Sequence, residues 1–220
     1  MAELADAVDA LEAWQGAFLV IQGDENHFCA GADLSLVTLE FADLENAAAM
    51  SEIMTCALNK VRSAPHASIA LIEGAAIGGG AEIATACDFR ILSNTARLEF
   101  RQAFFGVSPG WGGAGRLVEI VGAQKGLEIL TRAAKVSPMD WLEVGLADAV
   151  FEEQTAEAFV AAWIAKSDHV PTAGIRASKK AIRASVNEGL GGSGERAAFL
   201  EAWADPERGG RMGQRPSGKG

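Results

Sequence analysis

Two short glycine-centred segments, each following an apolar run, constrain this chain more than any other feature of it. The first is His27-Phe28-Cys29-Ala30-Gly31-Ala32-Asp33-Leu34, which follows Phe18-Leu19-Val20-Ile21. The second is Gly74-Ala75-Ala76-Ile77-Gly78-Gly79-Gly80-Ala81-Glu82, which follows Ser68-Ile69-Ala70-Leu71-Ile72. A short apolar run bounded by turn formers reads as a buried strand, and the small residues after it read as the start of a helix. Small side chains leave backbone N–H groups uncovered. At a helix start those groups have no intrahelical partner and carry partial positive charge. Two such donors aimed at one oxygen make an oxyanion hole. Glu82, on the first turn of the second helix, is placed to move protons on whatever that hole holds. The pattern reads as an enzyme.

The bulk properties narrow the class. At 220 residues and 49% apolar content the chain can bury a full core. Alternating apolar strands and helices predict an α/β layered architecture. A net charge of −10 argues against a nucleic-acid surface. The N-terminus is acidic and amphipathic rather than basic then apolar, so no secretory leader is expected. No run approaches the ~18 apolar residues of a membrane span. Cys29, Cys56 and Cys87 show no metal-ligand spacing and read as reduced thiols of a cytoplasmic protein. No metal site is expected. The chain has no tyrosine, which excludes tyrosine-based chemistry.

The order of elements follows from pattern and punctuation. A helix is predicted over 2–14 with Leu4, Val8, Leu11 and Trp14 on one face, and a strand over 17–22. A long helix over 47–63 carries Met50, Ile53, Met54, Ala57, Leu58 and Val61 as its stripe and stops before Pro65. Strands over 68–72 and 89–93 flank a helix over 79–86, with a short strand near 98–100. Pro109 to Gly113 reads as a loop, followed by helices over 115–121 and 123–131 and another starting at the Ser137 cap and Pro138. Residues 145–150 are extended. From Thr155 the chain reads as helical, broken near Pro171 and at 189–194, and its last dozen residues read as a frayed tail. Asp33 reads as a cap, Asp88 and Arg90 as turn and sheet contacts, and His27, His66 and His169 as turn or surface residues.

Phe28-Cys29-Ala30-Gly31-Ala32-Asp33-Leu34, then Gly78-Gly79-Gly80-Ala81-Glu82, then Pro109-Gly110-Trp111-Gly112-Gly113 resemble the crotonase (enoyl-CoA hydratase/isomerase) superfamily in their order and spacing. The resemblance runs from about Leu11 to Ala149 and weakens towards the C-terminus. It implies a crotonase-like ββα spiral core over 1–152 and a C-terminal helical trimerisation region over 153–220. Phe159, Trp163, Ile164, Ile182, Val186, Phe199 and Trp203 are the apolar residues of that region, which implies a homotrimer or a hexamer. Crotonase-like chains open with a strand pair and an Asn-Pro turn upstream of the point where this chain begins. Their lack is explained by a start assigned late, by a shortened chain, or by a variant whose open sheet edge a partner covers.

The resemblance also assigns roles. The backbone N–H groups of Ala32 and Gly79 would form the oxyanion hole, and Glu82 matches one of two catalytic glutamates of the hydratases. The second falls on Gln102, which neither takes nor gives a proton, so two-carboxylate water addition is in doubt. Glu99 reads as a solvated strand residue, and Arg101 as a surface residue or a partner for a substrate carboxylate. Ala30 and Leu34 would meet the adenine of coenzyme A, with Gly78 beside them. Gly110 would sit by the reacting carbon, and Trp111 would cover the pocket or lie in the core. Ser35 stands where some relatives place a phosphate-binding lysine.

Trp111-Gly112-Gly113 through Arg116 to Gly122, with Ala81 through Arg90, look closer to the ethylmalonyl/methylmalonyl-CoA decarboxylase branch than to hydratases. Decarboxylation leaves a thioester enolate that needs an oxyanion hole and one proton donor. The expected function is therefore an acyl-CoA enzyme, decarboxylase-like or isomerase-like, acting on a coenzyme A thioester with no permanently bound cofactor. Hydration by Glu82 alone and a non-catalytic acyl-CoA-binding paralogue are the alternatives.

Overall fold

The computed structural model describes residues 2–11, 14–33, 35, 43–152, 155–189 and 192–205. Its core is a strand–strand–helix unit used three times. β1 (Phe18–Gln22) and β2 (His27–Cys29) precede α2 (Leu44–Ser63), with α1 (Ala2–Ala10) before them. β3 (Ala67–Ile72) and β4 (Ala75–Ile77) precede α3 (Gly79–Ala86). β5 (Phe89–Ser93) and β6 (Arg97–Glu99) lead through one 3-10 turn, Gln102–Phe105, to α4 (Gly113–Val121). Each unit gives one strand to each of two parallel sheets, one ordered β1-β3-β5-β7 and the other β2-β4-β6. β7 is Ala149–Phe151, reached through α5 (Ala123–Arg132) and α6 (Pro138–Glu143). The chain ends in α7 (Ala156–Ala165), α8 (Thr172–Glu188) and α9 (Ser193–Ala204).

The register shows why these runs became strands. Phe18 to Gln22 pair with Ala67 to Leu71, and Ile69 to Ile72 pair with Phe89 to Leu92. β3 is therefore covered on both sides in the sheet plane, and every one of its residues is buried. A parallel strand between packed layers has no wet face, so an uninterrupted apolar run is what it needs. β1 forms one edge of its sheet. β2, β4 and β6 have three residues each. That is too short for a two-residue period to show in the sequence, and β2 and β4 were expected only as glycine segments.

Helix boundaries follow their caps. α2 begins three residues earlier than expected because Asp43 accepts from the Asn46 N–H at 2.8 Å. Met54, Ala57, Leu58 and Val61 of its stripe are buried, whereas Ile53 is 47% exposed. The Ser137 hydroxyl accepts from the Asp140 N–H, with Pro138 in the first turn, as the sequence implied. α1 ends at Ala10, short of the expected helix over 2–14. Residues 206–220, the expected frayed tail, lie outside the described residues.

A buried ion cluster ties the C-terminal helices to this core. Lys179 of α8 meets the Asp88 carboxylate at 2.8 Å and donates to the His66 carbonyl at 2.7 Å. Arg183, one turn on, reaches the same carboxylate at 2.6 Å. Burial alone pushes the Asp88 carboxyl up, but Lys179, the Ser68 N–H and Arg183 together hold it below the usual carboxylate range. Asp88 and Arg90 are structural, as expected: Arg90 donates to the Leu146 and Cys87 carbonyls and pairs with Asp148. His66 was expected at a turn or the surface, yet it is fully buried, with Nδ1 at 3.2 Å from the Gly16 carbonyl and its ring against Trp14. The first residue of the chain after Pro65 lies one step before a wholly buried strand, which carries the imidazole inside.

Candidate active site

The N-terminus of α3 is where the two glycine segments meet. Gly78 has φ +57 and donates its N–H to the Glu99 carbonyl at 2.8 Å, closing β4 onto β6 and turning the chain into the helix. Gly31 has φ +89, and a Cβ there would lie 2.6 Å from the Ile77 carbonyl oxygen and 3.2 Å from the Gly79 nitrogen. Both the dihedral angle and the close approach require glycine. A Cβ on Gly80 would overlap the Cys29 carbonyl. The turn carrying Ala30, Gly31 and Ala32 is thus pressed, backbone to backbone, against the first residues of α3. Among the described residues, no protein group accepts from the N–H of Ala32 or of Gly79. Side chains at Gly78 or Gly110 would meet nothing within 4 Å, so both face open space.

Glu82, one turn into α3, is 2% exposed. Its Oε2 accepts from the N–H groups of Trp111 and Gly113, each at 2.8 Å. Its Oε1 accepts from the Gly110 N–H and from the Gln102 side-chain amide, each at 3.2 Å. All four partners are donors, so both oxygens act as acceptors. A carboxylate in the first turn also complements the helix dipole. The three backbone contacts fold the loop 110–113 over α3, and a Cβ at Gly79 would overlap the Trp111 ring. The indole is therefore packed on Gly79. Trp111 also packs with Met54, Leu58 and Ala86. The indole is buried, which matches the core reading of this residue.

The floor of the site is a second set of contacts that the sequence did not signal. Arg116 of α4 donates to the carbonyls of Trp111 at 2.8 Å and Glu82 at 3.1 Å, and to the Thr85 hydroxyl at 3.2 Å. Burial pushes its guanidinium down to about 10, while the Glu82 charge pulls the other way. Ser51 of α2 donates to the Gly110 carbonyl. A lone polar residue on an amphipathic helix carries no local mark of such a role, so Ser51, Thr85 and Arg116 were not legible.

The remaining expected positions divide plainly. Ala32, Gly79, Glu82, Gln102, Gly110 and Trp111 gather around the α3 N-terminus, with Ala30 and Gly78 beside them. Leu34 lies outside the described residues. Asp33 accepts from the Ser35 N–H at 2.8 Å, as a cap does. Glu99 is not a solvated strand residue: it is 3% exposed, at the end of β6, and paired with Arg97 at 2.9 Å. Its neighbours Leu98 and Phe100 are buried as well, so this end of β6 lies inside the protein rather than on its surface. Arg101 is half-buried, donates to the Ala133 carbonyl at 2.7 Å and lies over the Phe104 ring. Burial pushes the Cys87 thiol up to about 12, the mark of an inert packed cysteine. No group of three or more metal-ligating side chains occurs among the described residues, and no helix there is long and apolar enough to cross a membrane.

With this geometry in hand, the profile of the enoyl-CoA hydratase/isomerase family matches residues 1–196, most of the chain. The chain belongs to the enoyl-CoA hydratase/isomerase family. Within this family, the ethylmalonyl-CoA decarboxylase of Danio rerio is 38% identical over 215 residues, covering 94% of this chain and 70% of that protein. The ethylmalonyl-CoA decarboxylase of Rattus norvegicus is 38% identical over 186 residues, covering 83% of this chain and 62% of that protein. The chain thus spans about two thirds of the length of these relatives. Among solved structures, a putative enoyl-CoA hydratase of Thermobifida fusca in complex with acetoacetyl-CoA superposes with a TM-score of 0.77 at 28% identity. That match covers 91% of this chain and 84% of the other. These likenesses place the chain in the crotonase superfamily, on its decarboxylase-like branch, with the crotonase fold.

Proposed function

We propose that this protein decarboxylates a malonyl-type coenzyme A thioester, with ethylmalonyl-CoA and methylmalonyl-CoA as the candidate substrates. In the proposed step the bond from the α carbon to the carboxylate breaks and carbon dioxide leaves. The electron pair passes into the thioester as an enolate, and the N–H groups of Ala32 and Gly79 stabilise the enolate oxygen. For this step Glu82 carries a proton on Oε1, gives it to the α carbon and takes up another from solvent. Each turnover thus consumes one proton as carbon dioxide leaves. The observation that carries this reading is the contact of the Gly31 turn with the Gly79 nitrogen, beside a buried carboxyl group. Removal of one such donor costs roughly 10²–10³ in kcat in comparable sites.

The two oxygens of Glu82 divide the work. Oε2 is held by two short bonds to Trp111 and Gly113, which anchor the loop and the indole on Gly79. Oε1 has two longer partners and lies against Gly110, which faces open space. It is the oxygen free to exchange a proton. Coenzyme A would be met by the backbone at Ala30, with Gly78 beside it. The exposed apolar side chains Ile182, Val186, Phe199, Leu200 and Trp203 of α8 and α9 support assembly through that face, as a trimer or hexamer.

The test is incubation of the protein with ethylmalonyl-CoA, methylmalonyl-CoA and crotonyl-CoA, with mass spectrometry of the thioesters. Loss of carbon dioxide from a malonyl derivative is the expected result. A hydrated crotonyl product with both malonyl thioesters intact would replace this reading with hydration by Glu82 alone. Three unchanged thioesters would favour a non-catalytic acyl-CoA-binding role.

A further inference from the structure

Gln102 presents an asymmetry that the proposed chemistry does not use. Its side-chain N–H group donates to Glu82 Oε1 at 3.2 Å, while its own Oε1 is buried and finds no partner. Buried acceptors of this kind are rare and call for a reason. The backbone around it is fixed, because the Gln102 carbonyl accepts from the Val107 N–H at 3.2 Å at the end of its 3-10 turn. Only the side chain can adjust. Its last torsion joins an sp3 to an sp2 carbon, where rotation is broad and nearly two-fold.

We propose that Gln102 is a positioning residue whose amide pairs with Glu82 Oε1 in both protonation states, turning over as the proton comes and goes. With the carboxylate ionised, the amide N–H donates to it and the Gln102 oxygen is left unpartnered, as the structure shows. With the proton on Oε1, the carboxylic O–H donates to the Gln102 oxygen, and the orphaned acceptor gains its partner. Oε2 cannot take this part, since its two N–H donors from Trp111 and Gly113 stay in place in either state. Gln102 therefore selects which oxygen carries the proton, the one against Gly110. A neutral amide suits this work because it offers a donor at one end and an acceptor at the other.

The surroundings leave Gln102 as the side chain at Oε1 able to respond. From α4 the charged group near Glu82 is Arg116, which donates to the Glu82 backbone carbonyl rather than its carboxylate. From α2 come Ser51, bound to the Gly110 carbonyl, and the apolar Met50 and Met54 around Trp111. From β6 comes Glu99, paired with Arg97, and next to Gln102 stands Arg101, bound at Ala133.

The proposal rests on the decarboxylase reading for its use but not for its test. Nuclear magnetic resonance of the full chain, with no thioester present, follows the Gln102 side-chain NH2 pair, assigned by its disappearance in Gln102→Met. The pair is expected to shift with pH in step with the Glu82 carboxyl carbon, and to be insensitive to pH in Glu82→Gln. An NH2 pair that stays fixed while the Glu82 carboxyl titrates overturns the proposal. With ethylmalonyl-CoA as substrate, Gln102→Met should lower kcat on the order of tenfold to a hundredfold with KM held, and should alter the pH profile of kcat. An unchanged kcat and profile in a folded Gln102→Met variant overturns it as well. The titration decides the proposal whether or not ethylmalonyl-CoA is turned over; absence of turnover counts against the decarboxylase reading alone.

Discussion

Gly113→Ala separates the anchoring role of the Glu82 carboxylate from its chemistry. The backbone at Gly113 is that of an ordinary first helical residue, so alanine meets no dihedral penalty. Its Cβ would stand 2.8 Å from Glu82 Oε2 and 2.7 Å from Glu82 Cγ, against an ordinary contact of at least 3.4 Å. The carboxylate or the loop must therefore yield by about 0.7 Å at the closer of these contacts. Both atoms are buried, and neither is the end of a free side chain, so the strain should cost about 1–3 kcal/mol of stability. A displacement of this size at a proton-transfer group should lower kcat by roughly tenfold to a hundredfold. No titratable group is lost and no coenzyme A contact is touched, so KM should hold. The assay is steady-state decarboxylation of ethylmalonyl-CoA beside thermal melting. A variant with wild-type kcat and a lowered melting temperature would refute the claim that the geometry of this carboxylate governs the reaction.

Glu82→Ala should abolish turnover while coenzyme A affinity by calorimetry stays close to wild type; retained turnover would remove Glu82 from the mechanism. Gly31→Ala forces a side chain into a positive-φ turn against the Ile77 carbonyl, and should cost on the order of 1–3 kcal/mol in chemical denaturation, with a loss of activity larger than that of Gly113→Ala. Asp88→Asn leaves Lys179 and Arg183 partly buried without their shared carboxylate, and should destabilise the fold by about 3–5 kcal/mol in urea titration. The same cluster sets an acid limit. Because Lys179 and its neighbours hold the Asp88 carboxyl below its ordinary value despite burial, its contribution is present above the usual carboxylate range and is lost as pH falls through the folded value. Wild type should therefore lose stability below about pH 4 more steeply than Asp88→Asn.

Much of the fold was legible because long apolar runs and caps are local signals. α3 over 79–86 and β5 over 89–93 match the sequence reading to the residue, since glycine, a buried apolar run and the next turn mark their limits. The second sheet was not legible as a sheet. Its strands have three residues each, and their pairing depends on backbone contact between segments such as Cys29 and Gly80 that lie far apart in sequence. The site was legible to the same extent. Ala32, Gly79 and Glu82 stand in glycine patterns with a direct physical reading. The three N–H groups that hold Glu82 come from residues 110–113, and only the tertiary fold brings them to it. Glu99 was misplaced because a charged residue in a strand carries no mark of which side faces the core.

The measurement that bears most directly on the account is the reaction of wild-type protein with ethylmalonyl-CoA in deuterium oxide, followed by mass spectrometry of the thioester. The account predicts loss of carbon dioxide and a butyryl thioester carrying one deuterium at its α carbon, delivered to an enolate from an exchangeable group. Ethylmalonyl-CoA recovered intact, under conditions where the protein is folded and binds coenzyme A, would contradict it.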